Sequence, residues 1–240
     1  MIKYLILAGT MALTACGGGG GGAAPATAPV VTANAAEGIW TGTVTGGGAF
    51  LFTVLENGTT WSASNSSTEI GLLTGTTTVT GSSATVTGTA FTGGARAVSS
   101  TKGFAATLVS KTSLNGVLTP GTTALSTAYE PVYDTAPSLA GVAGAYTGIV
   151  GTVNTARSAF ALAISAAGVV SATSGPCVIA GTATPRASGK AVFDLALTLT
   201  GCDFSSAAGI AIFDPKTKTI VVTAMNPAKT DGMVFIGTKP

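Results

Sequence analysis

The stretch EGIWTGTVTGGGAFLFTVLENGTTWSA, which begins at Glu37, returns as AGAYTGIVGTVNTARSAFALAISAAGVVSA at Ala143. Both copies read glycine-x-aromatic-threonine-glycine, then an alternating apolar run (Phe50 and Phe52; Phe160, Leu162 and Ile164), then a glycine turn. Farther on, Leu73-Thr74-Gly75-Thr76 and Ile179-Ala180-Gly181-Thr182 are again 106 residues apart. An offset this long is too large for a solenoid and suits a duplicated domain. The fold must therefore be one that half the chain completes and then repeats. The boundaries that follow are a first β domain over 37–130, a junction over 131–143 and a second β domain over 144–240. Pro131 and Pro137 punctuate the junction, and SLAGVAG from Ser138 is expected to form one helical turn.

Each half carries antiparallel signals. Asn57-Gly58 between AFLFTVLE and TTWSAS is a strong hairpin marker, because both positions tolerate the positive φ of a tight turn. Its counterpart is expected around Ala167-Gly168, and Asp214-Pro215 opens a turn between GIAIF and TIVVTAM. In KAVFDLALTLTGC, residues Phe193, Leu195, Leu197 and Leu199 fall on one face and Asp194, Ala196, Thr198 and Thr200 on the other. That is the alternation of a half-buried strand. With only 8% of residues charged, the surface of long exposed helices is missing. The expected architecture is all-β: two tandem, duplicated, small antiparallel β-barrel-like domains of about eight strands each. Closure would also remove exposed strand edges. A lipid-spanning barrel needs an outward apolar band with aromatic girdles, which 6% aromatics meet poorly, so a water-soluble body is expected.

The N-terminus is different in kind. Lys3 precedes an apolar stretch from Tyr4 to Leu13, far short of the roughly 20 residues of a spanning helix. Such a segment is a targeting signal, and one reading is an ordinary cleaved signal with an incidental cysteine. Leu13-Thr14-Ala15-Cys16, however, resembles the bacterial lipoprotein box. That resemblance implies that residues 1–15 are a signal peptide and that Cys16 is the lipidation site, with its thiol diacylated and its new amino group acylated. Several acyl chains make an anchor that is effectively permanent. Gly17, with no aspartate at that place, implies the bacterial outer membrane, on its periplasmic or cell-surface face. The glycine tract and AAPATAPVVTANAAE then read as a flexible linker over 16–36. The membrane, reached through this lipid, is the expected partner.

If Cys16 carries lipid, Cys177 and Cys202 remain as an even pair in an oxidising compartment. They flank two successive strands of the second half, so a disulfide across a hairpin is expected, and its reduction should weaken that half alone. A redox role would want Cys-x-x-Cys spacing, which is missing.

Catalytic chemistry is sparse. The chain has no histidine, which removes serine and cysteine triads and the commonest zinc ligand together. A net charge of +2 with scattered lysines and arginines argues against nucleic acid. Glu130 and Asp134, close together in YEPVYDTAP, read either as a calcium site or acid pair or as solvated loop charges. Ser99-Ser100-Thr101-Lys102 matches Ser-x-x-Lys by letter, but it lies between β segments and not at a helix start. TPRASGKA lacks the glycine and the Ser/Thr of a phosphate loop. Trp40 and Tyr146 occupy equivalent repeat positions, which points to a shared structural task such as plugging a barrel end. Trp61, Tyr129 and Tyr133 are left as a candidate contact surface, and no cofactor or metal is expected.

Over nearly its whole length the chain resembles a family of two-repeat lipoproteins of proteobacteria. The resemblance rests on AEGIWTGT, YEPVYDTAPSLAGVAGAYTG, CVIAGTATPRASGK and DGMVFIGTKP, and the cysteine pair fits it. It brings no known activity. More distantly, each lobe resembles the barrel lobes of transferrin-binding and complement-factor-binding surface lipoproteins, a likeness of fold that implies no ligand. The function expected is non-catalytic: binding, or a structural role in the envelope. Two alternatives stand beside it. One is an enzyme acting on envelope polymers through carboxylates such as Glu130, Asp134 or Asp203. The other is a lipocalin-like carrier of a small apolar ligand, which requires an open lumen.

Overall fold

A computed structural model describes residues 34–45 and 48–240. The signal segment 1–15, Cys16 and the linker up to residue 33 lie outside the described residues. Residues 34–36 do not continue a free leash. The Asn34 side chain donates to Thr77 O at 2.9 Å, its carboxamide oxygen accepts from Ala36 N, and Ala36 is fully buried.

Sixteen strands follow. The first eight are β1 (Gly38–Val44), β2 (Gly48–Val54), β3 (Thr59–Asn65), β4 (Ile70–Thr80), β5 (Ser83–Thr92), β6 (Ser99–Val109), β7 (Ser113–Thr119) and β8 (Ala124–Tyr129). They form a closed antiparallel barrel in which β8 returns to β1 and Tyr129 stands opposite Trp40. A 3-10 turn (Pro131–Asp134) and one helical turn, α1 (Leu139–Val142), make the junction. Ser138 caps α1 by accepting from Gly141 N at 3.1 Å. The second barrel comprises β9 (Gly144–Thr152), β10 (Ser158–Ile164), β11 (Val169–Ser174), β12 (Cys177–Pro185), β13 (Phe193–Thr200), β14 (Ser206–Asp214), β15 (Thr219–Met225) and β16 (Gly232–Thr238), with β16 closing on β9. Both ladders close within residues 38–238.

The repeated glycine-x-aromatic-threonine-glycine motif is now legible as a barrel-closing device. Gly38 and Gly144 sit at φ +155° and +150°, where a side chain is disfavoured. Trp40 and Tyr146 are fully buried, and each bonds the carbonyl four residues back: Trp40 Nε1 donates to Ala36 O at 3.0 Å, and the Tyr146 hydroxyl donates to Val142 O. Burial pushes the Tyr146 phenol up to about 12. At Gly42 and Gly148 the closing strand passes so near that an added Cβ would lie 1.8 Å from Ser126 O and 2.0 Å from Ile236 O. Only glycine fits there. The hairpin turns expected at Gly58 and Gly168 also match, at φ +80° and +78°.

Each barrel has its own core. Trp40, Phe52, Val86, Phe104 and Leu114 fill the first. Tyr146, Leu162, Phe193, Leu195, Leu197 and Phe235 are among those filling the second. Away from the partner barrel, many outward positions are polar and exposed, as with Thr85 and Thr87 on β5 or Thr198 and Thr200 on β13, though Val117 and Val178 are exposed as well. The faces differ at a seam where outward sides of the two barrels meet. There Ile70, Leu72 and Phe91 of the first pack with Val221, Met225 and Val234 of the second. A second cluster joins Ile39 and Leu55 to Tyr133, Val192, Ile210 and Ile212. Strands β14 to β16 are therefore apolar on both faces, one toward their own lumen and one toward the neighbour. The described residues belong to one compact unit.

Candidate functional site

The charged side chains gather where the junction crosses the seam. Asp134 accepts from Lys111 at 2.7 Å, from Lys190 at 2.9 Å and from the Tyr129 hydroxyl at 2.8 Å. Lys111 belongs to the turn between β6 and β7, whereas Lys190 lies in the loop between β12 and β13, so this one carboxylate ties both barrels together. The Lys111 ammonium first, and Lys190 after it, hold the Asp134 carboxyl well below the usual carboxylate range. Asp134 in turn raises the ammonium of Lys190. Beside it, Arg186 bonds Glu56 of the first barrel at 2.9 Å and Asp194 of its own at 2.5 Å. Burial opposes the charges of both Arg186 and Glu56, yet their mutual bonding keeps the arginine raised and the glutamate lowered. TPRASGKA is thus a strand-loop-strand segment whose Arg186 and Lys190 are structural.

Asp134 is exposed, so its ion pairs are screened by water and discounted accordingly. Asp134→Asn is expected to lower stability by about 1 kcal/mol at neutral pH. Because the folded-state value lies below the ordinary 3.8, the carboxylate's contribution is complete above that pH and fades as pH falls through it. Acid titration followed by circular dichroism should show a shallower loss of stability in the variant than in the parent chain.

The carboxylates considered for catalysis each have partners of their own. Glu130 accepts the Thr41 hydroxyl and lines a 190 Å³ cleft at the seam with Asp214, whose own carboxylate caps its turn through Lys216 N and Thr217 Oγ1. Asp203 lies beyond the far end of β13, an eight-residue strand of about 26 Å, where Asn154 bonds both it and Asp231. Burial, with Asp203 nearby, raises the Asp231 carboxyl. Among the described residues, no group of three metal-ligating side chains comes together. Ser99 to Lys102 lie in strand β6, where a Ser-x-x-Lys nucleophile would need a helix start.

The three aromatics chosen as a contact surface do meet, but inside the chain. Tyr133 is fully buried in the seam with the Lys190 ammonium 5.2 Å from its ring centre. Trp61 is half-buried against the same apolar cluster, and Tyr129 is half-buried edge-on to Trp40 at 5.2 Å. Burial raises the phenols of Tyr129 and Tyr133, helped by Asp134 in the first case and Glu37 in the second. Tyr133, being fully buried, is corrected from an external contact residue to an internal one, whereas Trp61 and Tyr129 each keep part of the ring exposed.

Cys177 and Cys202 form the disulfide, with Cα atoms 4.6 Å apart at the end of β12 and β13 where Val178 pairs Thr200. It stands at one mouth of the second barrel, beside a 260 Å³ pocket. The first barrel keeps a larger cavity of about 510 Å³ at the equivalent mouth. Strand register explains the difference. In the second barrel β13 turns Phe193, Leu195, Leu197 and Leu199 inward, and these pair Pro185, Ala183, Gly181 and Ile179 of β12. In the first, the residues 106 positions earlier, Val79, Thr77, Gly75 and Leu73, pair Ala84, Val86, Gly88 and Ala90 of β5. The four large inward side chains are matched here by Ala, Val, Gly and Ala, and at the mouth Ala90, in the place of Leu199, lines the larger cavity.

Among the described residues no helix is long and apolar enough to cross a membrane, which says nothing of strands. Compared with protein-family models, with curated proteins and with solved structures, the chain gives no match.

Proposed function

We propose that the chain is a lipid-anchored, non-catalytic binding protein of the bacterial outer membrane, held through Cys16 and binding with its folded body. The cavity of about 510 Å³ in the first barrel carries the binding half of this reading, since it falls in the usual range of small-molecule sites. The carboxylates that an enzyme would use are instead engaged with lysines, an arginine, a threonine or an asparagine. The lipoprotein box at Leu13–Cys16 supports the anchor. The carrier reading gains over the enzyme because it alone uses the lumen.

Metabolic labelling with an alkyne fatty acid tests the anchor. The full chain should take up label and fractionate with outer membranes, and Cys16→Ala should lose both. An unlabelled parent chain recovered in the soluble periplasm would overturn the reading.

A further inference from the structure

We infer that the first barrel holds a single-chain amphiphile, with its acyl tail in the lumen and an anionic head at the Lys102 ammonium. This rests on the binding reading above and names its ligand class. Three observations carry it, beginning with the wall. Phe50, Leu73, Ala90 and Leu118 line the cavity and give a stretch of apolar wall suited to a hydrocarbon chain, with Ser64, Thr92, Thr119 and Thr123 also lining it.

Next is charge. Lys102 is the one charged side chain among the residues lining this cavity; it is exposed, and among the described residues its ammonium makes no hydrogen bond and no ion pair. The other lysines of the folded body nearest a ring or carboxylate are engaged, as Lys111 and Lys190 are by Asp134. A lone cation at the rim of an apolar cavity fits a carboxylate or phosphate head. Ser62 also lines the cavity; it is only 2% exposed, and among the described residues its hydroxyl makes no hydrogen bond. It offers one polar contact along the tail, beside those of the other Ser and Thr residues of the wall. The corresponding pocket in the second barrel has Asp203 as its charged residue and would repel the same head.

The rim itself is built. The loop between β5 and β6 contributes Ala95, Ala97 and Val98 to the cavity. It is fastened to the second barrel by Gly94 N donating to Thr152 O at 3.1 Å and Arg96 N donating to Val153 O at 2.9 Å. The second barrel thus fastens the lip of the first barrel's cavity.

The chain from Gly17 onward contains both closed barrels and serves for the test. Its probe is dansyl-undecanoic acid, followed by fluorescence, with dodecanoate, dodecanol and lauroyl lysophosphatidate as competitors. One probe should bind per chain. Ala90→Leu, which installs the residue that Leu199 supplies in the second barrel, should weaken binding by about tenfold or more without lowering the melting temperature. Ser62→Val fills the facing wall and should act in the same direction if the first variant folds poorly. Lys102→Ala should weaken dodecanoate by about tenfold and leave dodecanol unchanged. Stronger competition by dodecanoate than by lysophosphatidate identifies free fatty acid as the source of the head, and the reverse order identifies a phospholipid. Absence of binding, or equal binding by both filled variants and the parent, overturns the inference; so does a Lys102→Ala chain that still prefers acid to alcohol. These failures would leave the Cys16 labelling result standing, so the anchor and the ligand are judged separately.

Discussion

Trp40→Ala should lower stability by about 3–5 kcal/mol, the largest single-residue effect expected in this chain. The indole is fully buried at the closure of the first barrel, donates to Ala36 O, and packs edge-on against Tyr129 of the closing strand. Its removal creates a cavity at the closure of the barrel, beside the Tyr129 ring. Ala36 O would also lose its buried donor. For a body of this length each kcal/mol shifts the melting temperature by roughly 2–4 °C, so thermal unfolding should fall by on the order of 10 °C. Tyr146→Phe is the contrasting experiment in the second barrel. It keeps the ring and removes only the hydrogen bond to Val142 O, so its cost should be about 1 kcal/mol. Equal losses from the two substitutions would show that the hydrogen bond, and not the plug, holds the closure.

Reduction of Cys177–Cys202 should cost about 3.5 kcal/mol, from the loop-closure entropy regained by a loop of 25 residues in the unfolded chain. From the cysteine positions alone, only the second half should weaken. The seam changes that expectation. Ile70, Leu72 and Phe91 are buried by Val221, Met225 and Val234, so the first barrel cannot keep these side chains from water once the second unfolds. A single unfolding transition should therefore move as a whole when the disulfide is reduced, or when both cysteines are replaced by serine. Two separated transitions in calorimetry, with only one displaced, would mean that the seam does not couple the barrels.

Much of this architecture is written locally. The glycine-x-aromatic-threonine-glycine motif, the Asn57-Gly58 turn and the alternation of Phe193 to Leu199 each report a backbone preference or a periodicity of two, and such signals survive without tertiary context. The disulfide was legible for a similar reason, since strands joined as a hairpin bring their outer ends together. The junction was harder. YEPVYDTAP looks like a solvated loop because Glu130, Asp134 and Tyr133 are polar and near prolines. Their partners, Thr41, Lys111 and Lys190, are distant in the chain and carry no periodic signal.

Tyr133 was misplaced for a related reason. An outward-facing aromatic reads the same whether solvent or a second domain covers it. A signal was present: TIVVTAM and GMVFIGT are apolar at consecutive positions, which in an antiparallel sheet means burial on both faces.

The cavity required both levels. Ala84, Val86, Gly88 and Ala90 stand in the sequence beside Phe193, Leu195, Leu197 and Leu199, yet the correspondence appears only when β5 and β13 are aligned through their partners on β4 and β12. The sequence by itself determined that there would be two β barrels in tandem, which turns close their hairpins and which cysteines pair, because these follow from local conformation and from repetition. The tertiary structure alone decided that the two barrels share a seam, that the junction's carboxylates hold it, and that the first barrel keeps the larger cavity at its mouth. Those outcomes depend on which distant side chains occupy the same space, and volume, unlike periodicity, is not a property of any one segment.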